Sequence, residues 1–140
     1  MKKRDFGKGK WNGFGGKVHE EEEIHEAAER ELLEEACLKL KNKKALQKRG
    51  VMYFSFEDTK DEEVIEVNVF GINSAQIIGE PEETDEMRPA WFRHHEIPFD
   101  KMWVDDQYWM EYFLRGDNFY GEFLFNKDGS KILSKKLEIK

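Results

Sequence analysis

The chain has 140 residues, a formal charge of −7, 39% apolar and 14% aromatic residues, which suits one core-bearing domain spanning 1–140 and excludes a wholly disordered chain. The acidic balance opposes broad affinity for nucleic acid polymers or anionic membrane, since both are polyanions. One cysteine, Cys37, excludes an internal disulfide framework; no apolar stretch follows the basic start or approaches the ~20 residues that span a bilayer, so the expected compartment is the cytoplasm.

Residues 5–16, DFGKGKWNGFGG, hold five glycines and three aromatics, the composition of a loop that approaches a partner closely or needs positive φ. Residues 15–38 then carry nine glutamates. From Ile24 to Leu38 the spacing turns helical, with Ala28, Leu32 and Ala36 as one apolar stripe. The lysine-rich KLKNKKALQKRG, 39–50, predicts a solvated connection with at most a short strand. VMYFSF at 51–56 and VIEVNVFGI at 64–72 read as strands, and EDTKDEE between them as a hairpin loop. DEMRPAWFRHHEIPF predicts a short strand around Trp91 and Phe92 followed by a proline-marked turn. DDQYWMEYFL, 105–114, reads as an amphipathic helix capped by Asp105 or Asp106. The end of the chain reads as a hairpin turning at Asp128-Gly129. Neither a repeat nor a linker is evident, so mixed α and β in one domain is the expected class.

On the acidic helix, Glu31, Glu34 and Glu35 fall within about 100° of one another and project beside the apolar stripe. An acidic face is most often simply solvated, and like charges at this spacing repel weakly. Such oxygens also suit a hard divalent cation. His19, His25, His94 and His95 lack zinc-type spacing and are expected at the surface.

Beyond composition, Gly16 is followed by five residues, Glu22, seven residues and then Arg30-Glu31-Leu32-Leu33-Glu34-Glu35-Ala36-Cys37-Leu38. This resembles the Nudix hydrolase signature at every fixed position except its second glycine, replaced by Cys37. The resemblance implies an α/β fold, a mixed β-sheet sandwiched between helices (α/β/α), and hydrolysis assisted by Mg²⁺, with Mn²⁺ as a substitute. It implies Glu31, Glu34 and Glu35 as catalytic and metal-binding residues, and an ion pair between Arg30 and Glu22 that braces the loop.

WNGFGGK, DEMRPAWF and IPFDKMWVDDQYW further resemble the Nudix branch that hydrolyses oxidised purine nucleoside triphosphates, such as 8-oxo-dGTP and 2-oxo-dATP, to monophosphate and pyrophosphate, sanitising the nucleotide pool. By that resemblance Gly15 and Glu86 join the metal site. Lys2, Phe6, Asn12, Phe14, Gly15, Gly16, Lys17, Phe54, Trp103, Asp105 and Asp106 line the substrate. The aspartate pair has its own logic: two carboxylates at one base edge disfavour double ionisation, so one keeps a proton and donates while the other accepts.

Val104 stands where that branch carries proline, and the chain starts where its relatives already have strand behind them, so a region of N-terminal strand is expected to be missing. The partner is a nucleoside triphosphate, with neither nucleic acid polymer nor membrane. A monomer is expected, with dimerisation through an exposed sheet edge as the alternative. The rival functions are a Nudix pyrophosphatase of different nucleotide specificity and a catalytically weak nucleotide-binding protein.

Overall fold

A computed structural model describes residues 1–58 and 63–140. They form two compact units, Met1–Gln47 with Gly71–Lys101 and Lys48–Phe70 with Met102–Lys140.

In the first unit, helix α1 runs Ile24–Ala36. Its first turn is closed where the Glu26 carboxylate accepts the Glu23 N–H at 3.0 Å, satisfying one of the donors every helix start leaves open. It ends on Cys37 in the left-handed region, φ 60°, where the Cys37 N–H reaches the Leu33 carbonyl at 2.9 Å and the Leu38 N–H the Leu32 carbonyl at 3.4 Å. This is the left-handed ending usually built on glycine. Leu38, thrown back onto the helix by that reversal, is buried with Leu32 and Ala36. Strands β1 (Lys39–Leu40) and β4 (Ile77–Ile78) pair antiparallel beside them, and Leu40 and Ile77 complete the cluster.

Lys2 forms an isolated antiparallel bridge with Met87, flanked by the Lys3 N–H to the Glu86 carbonyl at 2.8 Å and the Arg88 N–H to the Met1 carbonyl at 2.8 Å. The strand expected around Trp91 and Phe92 does not form, and residues 90–93 are irregular. Extended pairing occurs instead at Met87, on the far side of Pro89, whose ring nitrogen has no hydrogen to extend the ladder. Trp91 remains 69% exposed, while Phe92 meets Trp11 edge to face at 4.9 Å.

The second unit is a mixed sheet in the order β3-β2-β5-β6, built from β2 (Gln47–Phe56), β3 (Ile65–Gly71), β5 (Phe119–Phe125) and β6 (Ile132–Ile139). β2 and β5 run parallel, and β5 and β6 antiparallel with Phe119 opposite Ile139. Alternate residues of β5, Phe119, Phe123 and Phe125, join Met52 in a buried cluster, as a period of two dictates for one covered face. Helix α2, Asp106–Arg115, lays Trp109 on Phe119, nearly parallel with ring centroids 5.6 Å apart. The predicted sheet and both helices are therefore present.

The stretch 39–50, read as a solvated connection with at most a short strand, holds that short strand and more structure besides. It contains β1, a 3-10 turn over Lys43–Ala45 started by the Asn42 side chain accepting the Lys44 N–H, and the start of β2 at Gln47. Two residues there serve the second unit. The Arg49 guanidinium donates to the carbonyls of Phe113 and Asp117 at 3.0 and 2.9 Å, occupying acceptors that the end of α2 exposes. Gly50 lies against the Phe119 ring, where a Cβ would come within 2.3 Å of Cε2. Lysines hid this strand because its exposed positions carry polar residues. The expected hairpin loop EDTKDEE falls partly outside the described residues.

A non-glycine residue held in the left-handed region loses roughly 1 kcal/mol relative to glycine. Cys37→Gly is therefore expected to raise Tm by about 3 °C in a thermal melt; an unchanged or lower Tm would show that the Leu38 reversal carries no strain.

Candidate active site

In the first unit the glycine loop is tied to α1 by carboxylates. Glu35, 2% exposed, accepts the Gly15 N–H at 2.7 Å, and its backbone carbonyl accepts the Thr84 hydroxyl at 3.0 Å. Glu31 lies against Gly16, where a Cβ would stand 2.3 Å from its Oε1; any side chain at 16 would force that carboxylate to move. Glu31 is buried as well, whereas the Glu34 side chain is 57% exposed. The helical wheel put the three on one face, but that face straddles the boundary between interior and solvent.

Arg30 answers this charge. Its guanidinium donates to Glu22 at 2.8 and 3.2 Å, to Glu31 at 2.9 Å, to Glu34 at 3.2 Å and to the Lys17 carbonyl at 2.9 Å. Glu22, which also accepts the His19 N–H, is held down to about 2, first by Arg30 and then by that backbone bond. The expected Glu22–Arg30 brace is thus accompanied by three further Arg30 bonds, to Glu31, Glu34 and the Lys17 carbonyl. Glu35 shifts the other way. Burial pushes it up to about 7, with Glu31 and Glu86 adding to the rise and the Gly15 bond and the Lys2 charge opposing it.

Glu86 is half-buried and paired with Arg4 at 3.0 Å. Phe6, Asn12 and Lys17 are exposed. Phe14 lines an apolar cavity of about 210 Å³ with Leu32, Leu38, Ile77 and Trp91.

In the second unit, the Trp109 indole N–H is shared between Asp105 Oδ2 at 3.0 Å and Asp106 Oδ1 at 3.1 Å. Both aspartates are buried. Asp105 sits at the helix-start position expected of a cap, yet no side-chain capping bond forms; its carboxylate is occupied by the indole instead. Burial pushes both acids up, and Asp106 reaches about 8 because the Asp105 charge adds to its desolvation. Phe54 packs edge-on against Phe123 and Phe125 at 5.7 and 5.4 Å. Trp103 is half-buried. The four histidines are exposed, as expected.

A Nudix domain matches residues 1–113. The chain belongs to the Nudix family. It is 45% identical to the oxidized purine nucleoside triphosphate hydrolase of Mus musculus, over 98% of this chain and 83% of that one. It is 47% identical to the protein of the same name from Danio rerio, over 89% of this chain and 76% of that one. Among solved structures it is similar to the MutT protein of Bacillus halodurans, with a TM-score of 0.75 and 26% identity over 93% of this chain and 83% of that chain.

Nudix hydrolases generally use divalent metal ions. Among the described residues no three His, Cys, Asp or Glu side chains already converge on one point. The donors nevertheless fit such an ion. Glu35 offers a buried carboxylate oxygen whose ionisation is opposed by desolvation and by two neighbouring carboxylates, and a hard cation would relieve all three.

Sequence reasoning overlooked Trp109, although it stands four and three residues after the two aspartates, one helical turn on. Arg4 and Thr84, which tie down Glu86 and the end of α1, carry no comparable local signal.

Asp106 titrates above its unfolded value of 3.8. Between that value and about 8 the folded chain binds more protons than the unfolded one, so this group's contribution falls as pH rises. Asp106→Asn should therefore gain stability over the parent as pH goes from about 5 to about 8; urea unfolding at both ends checks this, and a margin that stays flat refutes it.

Proposed function

We propose that this Nudix protein hydrolyses oxidised purine nucleoside triphosphates, 8-oxo-dGTP and 2-oxo-dATP among them, to the monophosphate and pyrophosphate. The observation that carries the reading is the buried aspartate pair under one shared indole N–H. Burial raises both acids, and the Asp105 charge pushes Asp106 further up, to about 8, which favours a pair holding one proton between them. The pair thus offers one donor and one acceptor to a base edge. A guanine oxidised at C8 presents the complementary set, a donor at N7 and an acceptor at O6. The relatives from Mus musculus and Danio rerio both bear the name oxidized purine nucleoside triphosphate hydrolase, which supports the substrate class.

Roles follow residue by residue. Trp103 stacks on the purine, Asp105 and Asp106 read its edge, Phe54 and Phe6 bound it and Asn12 hydrogen-bonds it. Lys2 and Lys17 counter phosphate charge, and the loop from Phe14 to Gly16 lets backbone come close. Glu31, Glu34, Glu35, Glu86 and the backbone oxygen of Gly15 would hold Mg²⁺, or Mn²⁺ in its place, which when bound supplies neutralisation of phosphate charge and a lower pKa for water. The water oxygen bonds to phosphorus, the bridging oxygen of the leaving pyrophosphate departs with its electron pair, and the water's proton goes to a carboxylate of this set. Glu22 and Arg30 keep the loop on α1 during these steps.

A second reading, a nucleotide-binding protein of weak activity, draws on the engagement of Glu31 and Glu34 by Arg30. Pyrophosphate release from 8-oxo-dGTP and dGTP, with and without Mg²⁺, separates the two. The proposal expects Mg²⁺-dependent release, faster from the oxidised nucleotide and reduced about 100-fold or more in Glu35→Gln. A nucleotide that raises Tm while no pyrophosphate appears would establish the second reading.

A further inference from the structure

The β5–β6 turn, Asn126–Ser130, is more constrained than a surface turn needs to be. Asp128 Oδ1 accepts both the Ser130 N–H at 3.0 Å and its hydroxyl at 2.6 Å. Asn126 Oδ1 accepts the Lys131 N–H at 2.9 Å, and its amide donates to Ser130 Oγ at 3.1 Å. Gly129 donates to the Asn126 carbonyl at 3.1 Å and adopts φ +77°. Its neighbours Lys127, Asp128 and Ser130 are exposed, as turn residues ordinarily are, whereas Gly129 is buried.

What buries it is aromatic. A Cβ at Gly129 would stand 3.0 Å from Cζ3 and 3.8 Å from Cε3 of Trp103, and 3.3 Å from Cε1 of Phe56. The backbone of the turn therefore lies against the benzo ring of Trp103 with no side chain between them. Phe56 is itself braced from within the sheet by Phe125, stacked at 5.2 Å. The indole has a rigid turn on one edge and a rigid ring pair beside it, and any group added at 129 must move it.

We propose that Gly129 is a positioning residue for base recognition: by bringing bare turn backbone against Trp103, it sets where the indole plane lies and hence the space left for a purine. This inference rests on the proposed stacking of the base on Trp103. A methyl at 129 makes the indole give way by a few tenths of an ångström. Misplacements on that scale weaken stacking and binding while the phosphate chemistry keeps its residues.

Gly116 supplies the matched control. It lies in the same unit with φ +89° and nothing within 4 Å of its would-be Cβ, so alanine there introduces the backbone strain without the contact. Asparagine at 129 supplies the converse, because it tolerates positive φ and is bulkier. The experiment measures Tm, the dissociation constant and steady-state kinetics with 8-oxo-dGTP for the parent chain, Gly129→Ala, Gly129→Asn and Gly116→Ala. Both alanine variants should lose about 3 °C in Tm. Only the two Gly129 variants should raise KM and the dissociation constant about fivefold, with kcat within about twofold of the parent. Unchanged binding in both Gly129 variants, or an equal loss in Gly116→Ala, would overturn the role of Gly129 while leaving the proposed function intact. A parent chain that neither binds nor hydrolyses the oxidised nucleotide would overturn both.

Discussion

Arg30 is the one arginine or lysine within α1, in a segment otherwise dominated by glutamate, and the first unit depends on how its guanidinium is shared. A planar fork of five donors can satisfy several carboxylate oxygens and a carbonyl together, which a lysine ammonium with its compact charge cannot do in fixed directions. Here the fork joins Glu22, the Lys17 carbonyl, Glu31 and Glu34. The glycine loop would otherwise be held to the helix mainly by the Gly15 N–H on Glu35. Because one guanidinium supplies donors to Glu22, Glu31 and Glu34 together, it offsets repulsion among neighbouring carboxylates of the helix and its loop.

The acids not held by Arg30 follow a different rule. Glu35 in one unit, and Asp105 and Asp106 in the other, are buried where a full set of negative charges is unfavourable. A carboxylate in that position has two remedies, a cation or a proton. On the proposed reading the chain uses each once: Glu35 takes a cation, and the aspartates divide a proton. Chemistry on phosphate and discrimination among bases thereby rest on the same physical penalty, answered in opposite ways.

Much of this was legible in the residues. The stripe Ala28, Leu32, Ala36 marked α1, and the alternation in FYGEFLF marked β5, because a single covered face imposes its period on the sequence. Boundaries were less legible where one residue decides them. Pro89 shifted extended pairing upstream to Met87, and β2 began among lysines because its partners there are the end of α2 and a phenylalanine ring, both distant in sequence. In the candidate site, spacing announced the glutamates and the arginine. Spacing did not separate buried Glu31 and Glu35 from exposed Glu34, since a helical wheel gives direction and not depth. Nor did it disclose that the aspartates would turn to Trp109 instead of capping their helix, since that indole's place is set by its packing on Phe119, a contact distant in sequence.

Gly50 carries one further consequence. In the parallel pair of β2 and β5 it stands opposite Phe119 and is overlain by that residue's ring. A slip of one residue in either direction would set Arg49 or Val51 beneath the ring, where even the first side-chain carbon has no room. Parallel strands distant in sequence have no tight turn to dictate their alignment. Here the gap left by one missing side chain acts as a key cut to a single phenylalanine, and misaligned pairings are rejected by volume as the sheet assembles.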